Sequence, residues 1–303
     1  MHTFGRDEIR QALRHAQPIV ALETAVLTHG LPRPHNLEAI RAMEQAVCDA
    51  GAIPATIGIL DGRLIVGLSD AQLEELTNRE EAEKASARDM AAVLARGGSA
   101  GLTVAATLAV CRMLDVRVIA TGGIGGAHRG WKETFDISAD VRAIASTPCC
   151  VVCSGAKSIL DLSATLEHLD TLGVPVLGYQ TDRFPQFWSR GSDDLRVPQR
   201  AESAGEVARV CRVHWHDLRQ ESGVILANPA PEADALNQAE MECAVAQAVR
   251  SAGDLGVRGA ALTPFLLNAV AELTRGRSMH ANLALLRANA ALAAEVAVKM
   301  NNT

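Results

Sequence analysis

Five short apolar runs set the strongest limit on how this chain can fold: Ile19–Leu22, Val116–Ala120, Cys149–Cys153, Val174–Leu177 and Gly223–Ala227. They are rich in β-branched residues, and most stop at Gly, Thr, Ser or Asn. Continuous apolar strands, without polar alternation, are what a sheet covered on both faces requires. Helical patterns lie between them. Asn36 is expected to start a helix over Leu37–Asp49, and Ser86 one over Ala87–Arg96 that Gly97 ends. Helices over Thr103–Leu114, Ser158–Leu172, Ser203–Leu218 and Glu240–Ala252 follow, mostly with small polar residues at their starts. Strands that alternate with helices imply βαβ units and a mostly parallel sheet.

One segment departs from that rhythm. Ala55–Leu60 and Arg63–Gly67 flank Asp61-Gly62, the pair most typical of a type I′ turn, and read as a β-hairpin. The last hundred residues read mainly as helix, including Pro264–Leu273 and Ala281–Lys299. No linker, repeat or low-complexity tract divides the chain. The expectation is a single α/β catalytic domain over residues 1–303. Its form would be a three-layer α/β/α sandwich with a mostly parallel sheet and an added β-hairpin.

Charge narrows the partners. The net charge is −6 and the charged residues are scattered, so no nucleic acid partner is expected. A small anionic substrate remains compatible, because local positive groups outweigh a mildly acidic whole. The first residues contain no apolar h-region, and no uninterrupted apolar run approaches membrane-spanning length, so no membrane partner is expected. The seven cysteines have irregular spacing. The single CxxC, Cys150 to Cys153, lies in an apolar strand, so a cytoplasmic protein with structural thiols fits best.

The polar residues of interest gather at strand ends. Gly122-Gly123-Ile124-Gly125-Gly126 follows Val116–Ala120; such glycines form a tight turn or let backbone amides approach an anion. No Gly-Lys-Ser/Thr follows, so it is not a Walker loop. His128, Arg129, Lys132, Glu133, Asp136, Ser138 and Asp140 crowd behind it, where α/β sheets bind ligands. Lys157 follows Cys149–Cys153 just before the helix expected at Ser158. A lysine there is held near the core, where partial desolvation favours the nucleophilic amine; the alternative is a snorkelling surface lysine. Glu23 closes Ile19–Leu22, a setting that suits a general acid as readily as a charge emerging into solvent. His29 sits in a rigid-looking loop and by itself indicates nothing. Lys84, Ser86 and Arg88 could grip a phosphate or form a solvated helix start. Asp136 and Asp140 would share one face if their segment were helical, offering hard oxygen ligands.

Taken together, these segments closely resemble the pseudouridine-5′-phosphate glycosidase family (indigoidine-synthase-A-like C-glycosidases). The matching stretches are Val20–Glu23 with Thr28–Gly30, Pro54–Ile57 through Arg63, Lys84–Asp89, Thr121–Gly130 (TGGIGGAHRG) and Phe135–Asp140. They continue with Ser154–Asp161, Gly178-Tyr179 with Thr181-Asp182, Ala227–Pro229 and Thr263–Phe265. The likeness runs in order over nearly the whole chain. It implies reversible cleavage of pseudouridine 5′-phosphate to uracil and ribose 5-phosphate, one divalent metal (typically Mn²⁺) per subunit, and a homotrimer. By motif position it implies Lys157 as nucleophile, Glu23 as proton donor and Asp136 as the metal-linked aspartate. Substrate contacts fall on Lys84, Val104, Ser138, Ala139 and Asp140, and base-binding positions on His128 and Asn282. Two departures stand out: Thr24-Ala25 where relatives often carry Ser-Thr, and Trp131-Lys132, where Trp131 could alter the mouth of the site.

The implied chemistry explains such a set. Uracil would leave as a carbanion at C5, a very poor leaving group, and a pair of carboxylates acting through an oxocarbenium ion does not solve that. Opening the ribose and capturing C1′ on a lysine supplies an electron sink, and Glu23 could protonate C5 as the bond breaks. Two rivals carry different outcomes. A Schiff-base lyase or aldolase acting on another sugar phosphate would form the imine without releasing uracil. A catalytically idle sugar-phosphate binding protein would need Lys157 or Glu23 to be unusable.

Overall fold

The computed structural model describes residues 2–257 and 259–302. Its strands are β1 (His2–Phe4), β2 (Ile19–Leu22), β3 (Ile53–Leu60), β4 (Arg63–Val66), β5 (Glu83–Ala85), β6 (Ala100–Leu102), β7 (Val118–Ala120), β8 (Cys150–Cys153), β9 (Val176–Tyr179), β10 (Gln199–Ala201) and β11 (Val224–Ala227). Among the described residues they form one sheet in the order β1-β4-β3-β2-β7-β8-β11-β9-β10, with β6 beside β3 and β5 beside β6. Only β4 and β6 pair antiparallel to a neighbour, both with β3. The five apolar runs are β2, β7, β8, β9 and β11: β2 as expected, β7, β8 and β11 shorter by a residue or two at the start, and β9 shifted two residues onward. All residues of β2, β7, β8 and β11 are buried, as a sheet covered on both faces demands. The hairpin joins β3 to β4 with Leu60 opposite Arg63, and Asp61 and Gly62 both take positive φ, at 48° and 71°.

The chain winds both ways from the middle of the sheet. The connection from β2 runs through helix His35–Asp49 to β3 on one side. The connections from β6 to β7 and from β7 to β8 run the other way, through Val104–Leu114 and Ala139–Ile144. Right-handed crossovers put these helices on opposite faces. Accordingly His35–Asp49, Ala204–Arg212 and Arg277–Asn301 pack together, and Val104–Leu114 packs on Ala139–Ile144. Helix Arg277–Asn301 is, among the described residues, the one helix long and apolar enough to cross a membrane. The most apolar stretch of it is 61% buried, and it packs against β2, β7 and β8. Its composition is that of a core helix.

Several helix starts differ from expectation. Asn36 lies inside helix His35–Asp49, and its amide donates to the Leu27 carbonyl instead of capping. Helix Met90–Ala95 is shorter than expected, because the Ser86 amide is taken by Asp89 Oδ2 in a turn. Ser158 starts no helix: the next one is Leu162–Thr171, capped by Asp161, whose Oδ1 accepts from the Ala164 amide. Lys157 therefore sits in the loop between β8 and that helix, not in a helix's first turn. Asp136 likewise precedes helix Ala139–Ile144, so Asp136 and Asp140 do not share a helical face.

Candidate active site

Strand connections diverge between β2 and β7, and the crevice beyond their carboxyl ends is where an open α/β sheet takes a ligand. Glu23 and Thr121 are the first residues past those two ends. The Thr121 hydroxyl donates to Glu23 Oε1 at 2.8 Å, and both residues are buried. Glu23 is held in place by its neighbour. The Thr24 hydroxyl donates to the Ile57 carbonyl at 2.6 Å and accepts from the Leu102 amide at 2.9 Å, which bridges the point where β6 replaces β2 alongside β3. Gly101 is required at that junction, since a Cβ there would stand 2.1 Å from Thr28 Oγ1 and 2.6 Å from the Thr24 carbonyl.

Two cavities meet at this crevice, and Glu23, Lys84 and Lys157 line both. The larger, about 330 Å³, is the more polar, with Ser86, Arg88, Thr103, Val104, Asp136 and Ser138 in its wall. The smaller is more apolar, with His29, Gly122, Phe187, Leu286 and Asn282. Lys84 comes from β5, level with Gly101 of β6, and Lys157 from the loop after β8. The Lys157 amide donates to the Ile124 carbonyl, tying that loop to the glycine run.

Burial pushes the Glu23 carboxyl above its ordinary range, against the opposing pull of the Lys157 charge and the Thr121 hydrogen bond. Lys84 is pushed down, first by burial and then by the Lys157 charge. Burial also lowers His29, with the Lys84 charge adding to it. His128 is lowered by burial despite the opposing charge of Asp136. The crevice thus holds a carboxyl that burial pushes toward its acid form beside two lysines, a combination suited to proton donation next to a nucleophile.

The candidate residues divide between the chambers. Glu23, Lys84 and Lys157 converge. Val104, Asp136, Ser138, Ala139, Asp140 and His128 line the larger chamber, while Asn282 lines the smaller one, so His128 and Asn282 face different spaces. Asp140 is already engaged: its Oδ1 accepts from the Ala105 amide at 2.9 Å and its Oδ2 from the Gly125 amide at 2.8 Å. Two amides of the glycine run are thereby unavailable to an anion. The Gly125 amide belongs to Asp140 and the Ile124 amide to the Gly155 carbonyl, while Gly123 admits the Phe187 ring. Trp131 lines neither chamber; it stands edge-on to His168 with ring centroids 4.8 Å apart. Sequence reasoning missed Thr121 and Asn289. Thr121 carries the same signal as Glu23, a polar residue just past an apolar strand. Asn289 follows Asn282 by seven residues on an apolar helix, which puts the two on one face.

Comparison with known proteins agrees over the full length. The profile of the family described as "Indigoidine synthase A like protein" matches residues 8–299. The chain is 46% identical over 295 residues to the pseudouridine-5′-phosphate glycosidase of Caldanaerobacter subterraneus subsp. tengcongensis, covering 97% of this chain and 95% of the relative. It is 50% identical over 301 residues to that of Sorangium cellulosum, covering 99% and 94%. The crystal structure of the prealnumycin C-glycosynthase AlnA in complex with ribulose 5-phosphate superposes with a TM-score of 0.91 at 37% identity, covering 100% of this chain and 97% of that one.

Proposed function

The chain belongs to the indigoidine synthase A like protein family, and on that premise we propose that it reversibly cleaves the C-glycosidic bond of pseudouridine 5′-phosphate to uracil and ribose 5-phosphate. The observation that carries the reading is the convergence of Glu23, Lys84 and Lys157 where two chambers of different polarity meet. The polar chamber suits a phosphorylated sugar: Lys84, Ser86 and Arg88 line it, and the Ser86 hydroxyl is buried with no hydrogen-bond partner. The smaller chamber suits a flat neutral ring, with the Phe187 and Leu286 side chains and the donor and acceptor of the Asn282 carboxamide.

In this reading the Lys157 amine displaces the ring oxygen from C1′, and that oxygen takes up a proton. The C1′–C5 bond then breaks. Its electron pair goes to uracil C5, which is protonated by Glu23, while the nitrogen lone pair forms the C1′ imine. Water hydrolyses the imine, releasing ribose 5-phosphate. Phosphate contacts orient the open-chain sugar.

A divalent metal, Mn²⁺, completes the proposal. Among the described residues no group of three or more His, Cys, Asp or Glu gathers to enclose a metal, and the Asp140 carboxylate is engaged by amides. The half-buried Asp136 carboxylate in the polar chamber remains, which fits a hard ion that keeps most of its waters. When bound, such an ion would supply positive charge to anchor the anionic sugar. We further propose a homotrimer working in the cytoplasm. Seven cysteines, all unpaired, fit a reducing compartment. Sedimentation tests the assembly, and a monomer at working concentration would contradict it.

Incubation with pseudouridine 5′-phosphate and Mn²⁺ is expected to release uracil. Borohydride with ribose 5-phosphate is expected to add mass at Lys157, and not at Lys84, Lys132 or Lys299. Trapping without uracil release would favour a lyase acting on another sugar phosphate.

A further inference from the structure

Helix Arg277–Asn301 carries an asparagine whose every polar atom is spent on the ends of three strands. Asn289 is fully buried. Its Nδ2 donates to the Thr121 carbonyl at 2.9 Å and to Ser154 Oγ at 3.1 Å, with the Gly122 carbonyl farther off at 3.4 Å. Its Oδ1 accepts from Asn228 Nδ2 at 3.0 Å. A carboxamide has two N–H donors and one carbonyl acceptor, and here all of them are placed. The partners are the first residues beyond β7, β8 and β11. Of the four residues only Thr121 lines a chamber, the smaller one; Asn289, Ser154 and Asn228 line neither.

These contacts reach both reacting groups. Thr121, gripped through its carbonyl, aims its own hydroxyl at Glu23. Ser154 opens the loop that carries Lys157 three residues later, and its amide donates to the Gly122 carbonyl. Asn228 is tied by its amide to the Cys153 carbonyl. A single neutral side chain therefore spans the loop that orients the acid and the loop that bears the amine.

We propose that Asn289 is a positioning residue for catalysis, setting the separation between the Thr121–Glu23 pair and the Lys157 loop from behind the crevice. The inference rests on the assignment of Glu23 and Lys157 above. The phosphate-facing residues Lys84, Ser86 and Arg88 hang on other segments, so ligand affinity and the chemical step separate.

The test uses full-length Asn289→Leu, which keeps the heavy-atom count and branching and removes every donor and acceptor, with Ser154→Ala and Asn228→Ala each deleting one arm. Uracil release and its reversal are measured across pH. For Asn289→Leu, kcat is expected to fall on the order of ten- to a hundredfold, the scale of small misplacements of reacting groups. KM for ribose 5-phosphate should stay within about threefold of wild type. The alkaline limb of kcat should move up, because a displaced Thr121 hydroxyl no longer favours the Glu23 carboxylate. Unchanged kcat, or a fall with an unmoved limb, would reduce Asn289 to a structural role and overturn the proposal. Should Asn289→Leu not fold, the single-arm variants carry the same expectations at smaller size, and wild-type behaviour in both overturns it. Failure of the underlying assignment looks different: wild-type protein would then release no uracil or trap no sugar at Lys157.

Discussion

The Thr121 hydroxyl lies 2.8 Å from Oε1 of Glu23, although the two residues are 98 positions apart in sequence. Each stands one step beyond a strand, and β2 and β7 are neighbours because the chain winds outward from between them. The hydrogen bond favours the carboxylate while burial favours the acid, and burial dominates.

Thr121→Val removes that bond and leaves the volume. If protonated Glu23 is the active form, activity is present below its pKa and lost above it. Losing a contact that stabilises the carboxylate raises the pKa further, so the alkaline limb of kcat should move to higher pH. The rate should fall on the order of tenfold. Thr121→Ser should restore both, and a pH–rate profile of the three proteins checks it.

Glu23→Gln separates two steps and reports on stability. It removes the acid but keeps the Lys157 amine, so borohydride trapping of ribose 5-phosphate should persist while uracil release collapses. Lys157→Arg should abolish both trapping and uracil release, since a guanidinium supplies no neutral amine. For stability, a carboxyl whose folded pKa is raised contributes most below its unfolded value and loses that contribution as pH rises through the folded one. The melting temperature of Glu23→Gln relative to wild type should therefore increase between pH 5 and pH 8, by about 2–4 °C per kcal/mol. A flat difference across that range would contradict the buried-acid account.

Asp136→Ala should lose most activity, and excess Mn²⁺ should restore little of it, whereas chelated wild-type protein should recover on adding Mn²⁺. Asp140→Ala is the contrast. It strands the buried Ala105 and Gly125 amides, each costing about 1–3 kcal/mol, so its leading effect should be a lowered melting temperature. Full activity of chelated wild-type protein would remove the metal from the mechanism.

Pseudouridine without its phosphate should be a poor substrate, because Lys84, Ser86 and Arg88 would have no anion to hold. One lost charge-assisted contact is worth about 1.5–3 kcal/mol, on the order of ten- to a hundredfold in kcat/KM. Equal rates for nucleoside and nucleotide would move the phosphate out of the larger chamber.

Local chemistry determined a good deal of this protein by itself. Apolar runs without alternation made β2, β7, β8, β9 and β11 legible, and Asp61-Gly62 made the hairpin legible, because hydrophobic period and turn stereochemistry are properties of a few adjacent residues. Glu23 and Lys157 could be picked out because they follow apolar strands, and Lys84 because it sits in a motif-bearing segment. Helix starts were less faithful: Ser158 and Ser86 have the right side chains for caps, yet the Ser158 hydroxyl turns to the distant Gln186 carbonyl and the Ser86 amide to the Asp89 carboxylate of a local turn.

What only the tertiary structure decided is which polar atoms were already spent. Asp136 and Asp140 look alike in sequence, but the second is consumed by two backbone amides from separate elements and the first is not. The glycine run can be read as an anion loop until Phe187 and Asp140 occupy the room and the amide it offers. Asn289 reads as a stray amide on an apolar helix until the strand order brings three loop ends within 3.1 Å of it. A hydrogen-bonding group has only a few partners, and packing of distant segments, not the neighbours in the chain, chooses which ones are left for a substrate.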